Sequence, residues 1–104
     1  ILYNLLLNAI EASQEHGVVA IDFNRDSSAL IVAITNDGEV PLAIRERFFE
    51  KYVTYGKNSG TGLGTYSAWL AIRTQGGTIQ LNCKVKGKTT VTFTLPLQSA
   101  AQSV

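Results

Sequence analysis

Apolar and polar residues interleave with a helical period from the start of the chain, through Leu2-Tyr3-Asn4-Leu5-Leu6-Leu7-Asn8-Ala9-Ile10-Glu11. At about 100° per residue, Asn4, Asn8, Glu11 and Glu15 fall within an arc of roughly 60°, with Leu2, Leu6, Ala9 and Ser13 opposite. The spacing predicts one amphipathic helix over 1–15, stopped at Gly17, where a positive φ is easily adopted. No capping Ser, Thr or Asp precedes Ile1, so the chain is expected to open inside a helix and to be a fragment of something longer. The β-rich runs Val18–Phe23 and Leu30–Ile34, joined by Arg25-Asp26-Ser27-Ser28, predict a hairpin, and Asn36-Asp37-Gly38 is expected to break its second strand. Pro41 suits the first position of a short helix running to about Phe49.

From Tyr52 to Gly64 the periodicity disappears, and Gly and small hydroxyl residues crowd the end of the stretch, which reads as a mobile loop. Helical character resumes over Gly64–Thr74, with Tyr66 and Trp69 expected in the core, and Gly76-Gly77 ends it. A second hairpin follows, Thr78–Lys84 and Thr89–Leu95, turning at Lys86-Gly87-Lys88, with Cys83 in its first strand. The sum is an α+β two-layer sandwich, a mixed but largely antiparallel sheet with helices on one face. One domain is expected over 1–97, with a disordered tail over 98–104.

Composition narrows the chemistry. The 104 residues suffice for one core, and nine Lys and Arg against eight Asp and Glu leave a net charge of +1. Without a basic face or stripe there is no electrostatic case for a nucleic-acid partner. No apolar run approaches the ~20 residues that span a bilayer. Cys83 is the sole cysteine, which excludes an internal disulfide and any cysteine metal cluster and points to a reducing, cytoplasmic compartment.

Three segments carry chemistry. Gly60-Thr61-Gly62-Leu63-Gly64 runs into a helix, and closely spaced glycines let backbone N–H groups approach a phosphate at the positive end of the helix dipole. It lacks the Lys-Ser/Thr of a Walker A loop, and Ser67 stands where a dinucleotide fingerprint wants glycine. The plainer reading is a flexible glycine linker. The second segment is the stripe Asn4, Asn8, Glu11. A nucleotide-bound magnesium takes few protein ligands, so the Asn8 amide oxygen would suffice, whereas the plainer reading is a solvated helix face. Third is Asn36-Asp37-Gly38 at a strand end, able to hydrogen-bond a base edge with glycine allowing close approach, or simply a turn.

In this order and spacing the segments resemble the sensor histidine kinases. Asn4 to Ala12 resembles their N box, Asn36-Asp37-Gly38 the G1 box, Phe48-Phe49-Glu50-Lys51-Tyr52 the F box, and Gly60 to Gly64 the G2 box. Gly76-Gly77-Thr78-Ile79 and Thr92-Phe93-Thr94-Leu95-Pro96 match the usual close of such domains, so the resemblance covers Leu2 to about Leu97. It implies the Bergerat ATP-binding fold shared with gyrase, Hsp90 and mismatch-repair ATPases. It also implies ATP and Mg2+ as ligands, with Asn8 on the metal, Asn4 near the phosphates and Glu11 facing the nucleotide. Asn36 falls where the family has the aspartate that reads adenine, with Asp37 as the reader in the alternative register. Lys57 resembles a lid lysine reaching the phosphates, over a lid of about 54–59. Gly38 to Pro41 is one residue shorter than the usual Gly-x-Gly-Ile-Pro.

The implied reaction is transfer of the ATP γ-phosphoryl group to a histidine on a dimerisation domain outside this chain. Hydrolysing relatives and the serine kinases of the superfamily place a glutamate where Asn4 stands. An amide is no general base, which favours a histidine kinase over either. His16 lacks the setting of an acceptor histidine and reads as a surface residue at a helix end. A nucleotide-binding regulatory module and a protein-interaction domain are the alternatives. Partners implied by the resemblance are that dimerisation domain, a response-regulator receiver domain, and a second copy in a full-length homodimer that a membrane anchor would hold at the cytoplasmic face.

Overall fold

The structure is a computed structural model that describes residues 1–54 and 62–97. Helix α1 (Leu2–Ala12) is followed by strands β1 (Val19–Arg25) and β2 (Ala29–Asp37), then by a 3-10 helix (Leu42–Arg47). Helix α2 (Gly64–Thr74) and strands β3 (Thr78–Asn82) and β4 (Lys88–Pro96) complete the fold. The four strands lie in the order β1-β2-β4-β3, every pairing antiparallel. Both helices pack on one side of this sheet, which is the two-layer α+β arrangement expected.

Each connection has a local cause. The Asp26 carboxylate accepts hydrogen bonds from the Ser28 N–H (2.7 Å), the Ser28 hydroxyl (2.9 Å) and the Ala29 N–H (2.8 Å), closing the β1–β2 turn from a side chain. Ser28 also accepts from Leu97 N–H, so the end of the second hairpin is tied to the turn of the first. At the end of α2, Gly76 takes φ +80° and Gly77 N–H returns to the Ile72 carbonyl at 2.8 Å, a left-handed cap of the kind glycine permits.

The core lies between sheet and helices. Leu5 and Ala9 of α1, Ala68 and Ile72 of α2, Val32 and Ile34 of β2, and Val91 and Phe93 of β4 are buried together, sealed by Val40 and Phe48 from the connection. Alternation along β2 sends Val32, Ile34 and Asn36 toward the helices and Ala33, Thr35 and Asp37 to the other face.

Several expectations shift. The first helix ends at Ala12 rather than 15, because Ser13 turns its hydroxyl back to the Ala9 carbonyl (2.8 Å) and the Gln14 N–H goes to the Asp37 carbonyl (3.1 Å). Glu15 therefore leaves the helical stripe. Strand β2 runs on through Asp37, since β1 pairs with it as far as Asn36 and β4 as far as Asp37. Cys83 lies just past β3. Tyr66 and Trp69 are half-buried, stacked with ring centroids 6.0 Å apart, and outside the core. Small Thr65 and Ala68 take the buried positions of α2, beside Ile72. The tail 98–104 lies outside the described residues.

Candidate functional site

The end of β2 meets the end of α1 in a tightly built corner. The Asp37 carbonyl accepts from Gln14 N–H, and Asp37 N–H donates to the Val18 carbonyl at 3.3 Å. Gly38, at φ +147°, runs so close to α1 that a Cβ there would stand 2.8 Å from the Ala12 carbonyl oxygen. The same Cβ would stand 3.2 Å from the Asn36 amide nitrogen. Gly38 N–H donates to the Gly87 carbonyl (2.8 Å), and its own carbonyl accepts from the Thr89 hydroxyl (2.8 Å). Glu39 accepts from Gly87 N–H at 2.9 Å, locking the β3–β4 turn onto this corner.

The two neighbours Asn36 and Asp37 part company here. Asp37 faces away from the helices, and its carboxylate accepts from the Val18 N–H (2.9 Å) and from the Lys88 ammonium. The Lys88 hydrogen bond first, and the Val18 N–H second, hold that carboxyl below its ordinary value of 3.8. Asn36 faces the helices and is only 5% exposed. Among the described residues its amide makes no side-chain hydrogen bond, and no buried side-chain nitrogen or oxygen lacks a partner, so the Asn36 polar atoms stay within reach of an incoming group.

Asn8 is one helical turn before Ala12 and thus on the side of α1 that meets Gly38. Asn4 is one turn further, about 12 Å along the axis from Ala12. Both are half-buried, flanking the buried Leu5 and Ala9, whereas Glu11 is exposed. Among the described residues no three His, Cys, Asp or Glu gather into a metal cage. That donor set fits a magnesium ion that takes most of its ligands from phosphate and water and a single amide oxygen from the protein.

Helix α2 begins at Gly64 with no side-chain cap and no acidic residue in its first turn, and a Cβ on Gly64 would meet nothing within 4 Å. Among the described residues no side chain caps that positive end and no carboxylate stands in its first turn, a setting that suits an anion. Gly62, at φ +75°, is pressed onto the segment after the 3-10 helix. A Cβ there would fall 2.6 Å from the Tyr52 backbone, and Tyr52 N–H donates to the Gly62 carbonyl at 3.0 Å. The Thr65 hydroxyl reaches the Phe48 carbonyl at 3.4 Å. Together these contacts hold the start of α2 against the Phe48–Tyr52 segment. Lys57, Gly60 and Thr61, and the lid over 54–59 beyond Thr54, lie outside the described residues.

Of the remaining sequence candidates, the structure brings Asn36 and Gly38 to the C-terminal end of α1, one turn beyond Asn8, and sets Gly62, Leu63 and Gly64 at the start of the helix packed beside α1. It removes Asp37 to the opposite face. Thr89 was not singled out by the sequence, although it is 2% exposed and anchors the Gly38 carbonyl. Its only signal is its place in the buried alternation of β4. A separate cavity of about 500 Å³, lined by Glu46, Phe49, Glu50, Lys51, Tyr66 and Trp69, contains none of these candidates.

The model of the histidine kinase-, DNA gyrase B- and HSP90-like ATPases matches residues 1–99. The sensor histidine kinase ZraS of Escherichia coli K12 is 33% identical over 98 residues, covering 93% of this chain but 21% of that protein. The catalytic domain of the histidine kinase ThkA, in a nucleotide-free form, superposes with a TM-score of 0.78 at 31% identity, covering 91% of this chain and 62% of that one. ThkA in complex with the response regulator TrrA matches with a TM-score of 0.75 at 26% identity, covering 93% of this chain and 27% of that one. This chain spans only about a fifth of the curated relatives' length. With helices on one face of an antiparallel four-stranded sheet and a match along nearly its whole length, the chain belongs to the histidine kinase-, DNA gyrase B- and HSP90-like ATPase family.

Proposed function

We propose that this chain is the ATP-binding catalytic domain of a sensor histidine kinase, transferring the γ-phosphoryl group to a histidine on a dimerisation domain outside it. The observation that carries the reading is the start of α2, a glycine-approached helix end with no side-chain cap and no carboxylate in its first turn among the described residues, on a helix packed against the one that carries Asn4 and Asn8. When bound, ATP supplies the phosphoryl group and its magnesium spreads the charge that builds on the phosphate oxygens.

The N–H groups at the start of α2 hold the phosphates, with Gly62, Leu63 and Gly64 giving the backbone its close approach. Lys57, Gly60 and Thr61 complete that cradle by resemblance. The Asn8 amide oxygen ligates the metal, and Asn4 stands near the phosphates. Glu11, exposed on the same helix, lies at the mouth. Asn36, not Asp37, meets the base, because its amide faces the helix side while the Asp37 carboxylate is spent on Val18 and Lys88. Gly38 leaves room for the base where a side chain would meet Ala12.

No residue of the chain has to form a covalent intermediate, since phosphoryl transfer asks chiefly for positioning and charge stabilisation. Asn4 has no basic group with which to activate water, which supports transfer to an imidazole over hydrolysis. The solved complex of ThkA with TrrA supports a receiver domain as the downstream partner. No helix among the described residues is long and apolar enough to cross a membrane, and we place the domain in the cytoplasm of a full-length, membrane-anchored homodimer.

The test is to mix the chain with its cognate dimerisation domain and γ-labelled ATP. Acid-labile label is expected on the acceptor histidine of that domain and nowhere on this chain. Label on His16, or ATP turnover with no labelled acceptor, would contradict the reading.

A further inference from the structure

The end of β2 combines three features. Asn36 is 5% exposed and faces the helix layer. Its amide has no side-chain partner among the described residues, and Gly38 clears the space beside it. The nearest alternative readers are already engaged. The Asp37 carboxylate takes the Val18 N–H and the Lys88 ammonium on the far face, and the Thr89 hydroxyl gives its proton to the Gly38 carbonyl.

An ionised carboxylate only accepts hydrogen bonds, whereas an amide carries a carbonyl acceptor and an NH2 donor. A 6-aminopurine offers the 6-amino donor beside the N1 acceptor. A 6-oxopurine offers the reverse, the O6 acceptor beside an N1–H donor. Turning the Asn36 amide by about 180° exchanges two ends of nearly the same shape, so the side chain can match either edge with two hydrogen bonds. A carboxylate in its place would pair with the 6-amino group and oppose O6.

We propose that Asn36 makes this site accept 6-oxopurine nucleotides alongside ATP, with its accessible amide, which has no side-chain partner among the described residues, as the group that reads position 6 of either base. The inference rests on the nucleotide site proposed above and adds to it the class of substrate.

The test measures calorimetric affinities of the chain for magnesium-bound ATP and ITP, in the wild type and in Asn36→Asp. ITP is the probe because hypoxanthine changes the purine edge without adding the 2-amino group of guanine. The wild type should bind ITP within about tenfold of ATP, and Asn36→Asp should raise the ATP-to-ITP preference by roughly tenfold or more, as loss of a matched hydrogen-bond pair does. ITP binding more than tenfold weaker than ATP in the wild type overturns the proposal. So does a preference unchanged by Asn36→Asp, which would place base reading elsewhere. If the Asn36→Asp carboxylate unfolds the chain, Asn36→Ala replaces it and should weaken both nucleotides by a similar factor; affinities for both nucleotides that Asn36→Ala leaves unchanged from the wild type overturn the proposal. Binding of neither nucleotide to the folded wild type removes the nucleotide site itself, an outcome distinct from a site that binds ATP and refuses ITP.

Discussion

Asn36 and Asp37 are adjacent in sequence and opposite in fate, because a strand turns successive side chains to opposite faces. Whether the base reader was the first or the second of them could not be settled from the motif alone, since both registers place a polar group before Gly38. Burial settles which one faces the helices. Asp37 becomes a clamp between β1 and β4, and the clamp has a pH signature. Its carboxyl is held below 3.8, chiefly by Lys88 and then by the Val18 N–H. Asp26 is lowered too, by the Ser28 N–H, then the Ser28 hydroxyl and the Ala29 N–H. A folded-state value below the unfolded one contributes stability that is fully present above the unfolded value and is lost as pH falls through the folded value. The melting temperature should therefore fall as pH drops below about 4, and fall less steeply in Asp37→Asn. Thermal melts of both proteins between about pH 6 and 2.5 check this, and parallel curves would show that the clamp contributes nothing.

At the scale of elements, the helices, hairpins and turns followed from period and punctuation, while their ends did not. The α1 stripe predicted a helix through Glu15, but helix ends depend on where orphan N–H groups find partners, and here the Asp37 carbonyl from a distant strand takes that of Gln14. In the same way β2 continues through Asn36-Asp37 because two strands pair with it there, which overrides the local turn preference of those residues. From the sequence, Tyr66 and Trp69 are expected in the core under the lid helix. Close packing of α2 on the sheet selects Thr65, Ala68 and Ile72, and the aromatic pair lines the surface cavity under the Lys51 side chain, whose ammonium is 5.0 Å from the Tyr66 ring. The junction of α2 with β3 shows how tight that packing is. A Cβ on Gly77 would stand 2.1 Å from the Thr94 carbonyl oxygen and 3.0 Å from Ile72. Gly77→Ala should cost about 2–3 kcal/mol, lowering the melting temperature by roughly 10 °C. A melt within a degree or two of wild type would mean that this junction is looser than the structure shows.

The whole molecule is a two-layer domain in which both helices pack on one face of the sheet. Helix α1, the end of β2 and the start of α2 are far apart in sequence, and the first two meet where Gly38 backs onto the Ala12 carbonyl and Gln14 N–H donates to the Asp37 carbonyl. Glycine spacing and the asparagine stripe are the sequence signals for the phosphate and metal end that we propose. The locking of the proposed base end was not legible in the sequence, because Glu39 is held by Gly87, Asp37 by Lys88 and Gly38 by Thr89, residues of the β3–β4 turn and the start of β4 about 50 positions away that carry no local motif. The proposed magnesium-dependent nucleotide binding at the Asn8 side of α1 is tested most directly by a calorimetric titration with ATP, with and without magnesium, in wild type and Asn8→Ala. Wild type should bind ATP more tightly when magnesium is present, and Asn8→Ala should lose at least about tenfold of that gain while keeping its melting temperature. An unchanged magnesium gain in the variant, or no ATP binding to the wild type at millimolar concentration, would contradict it.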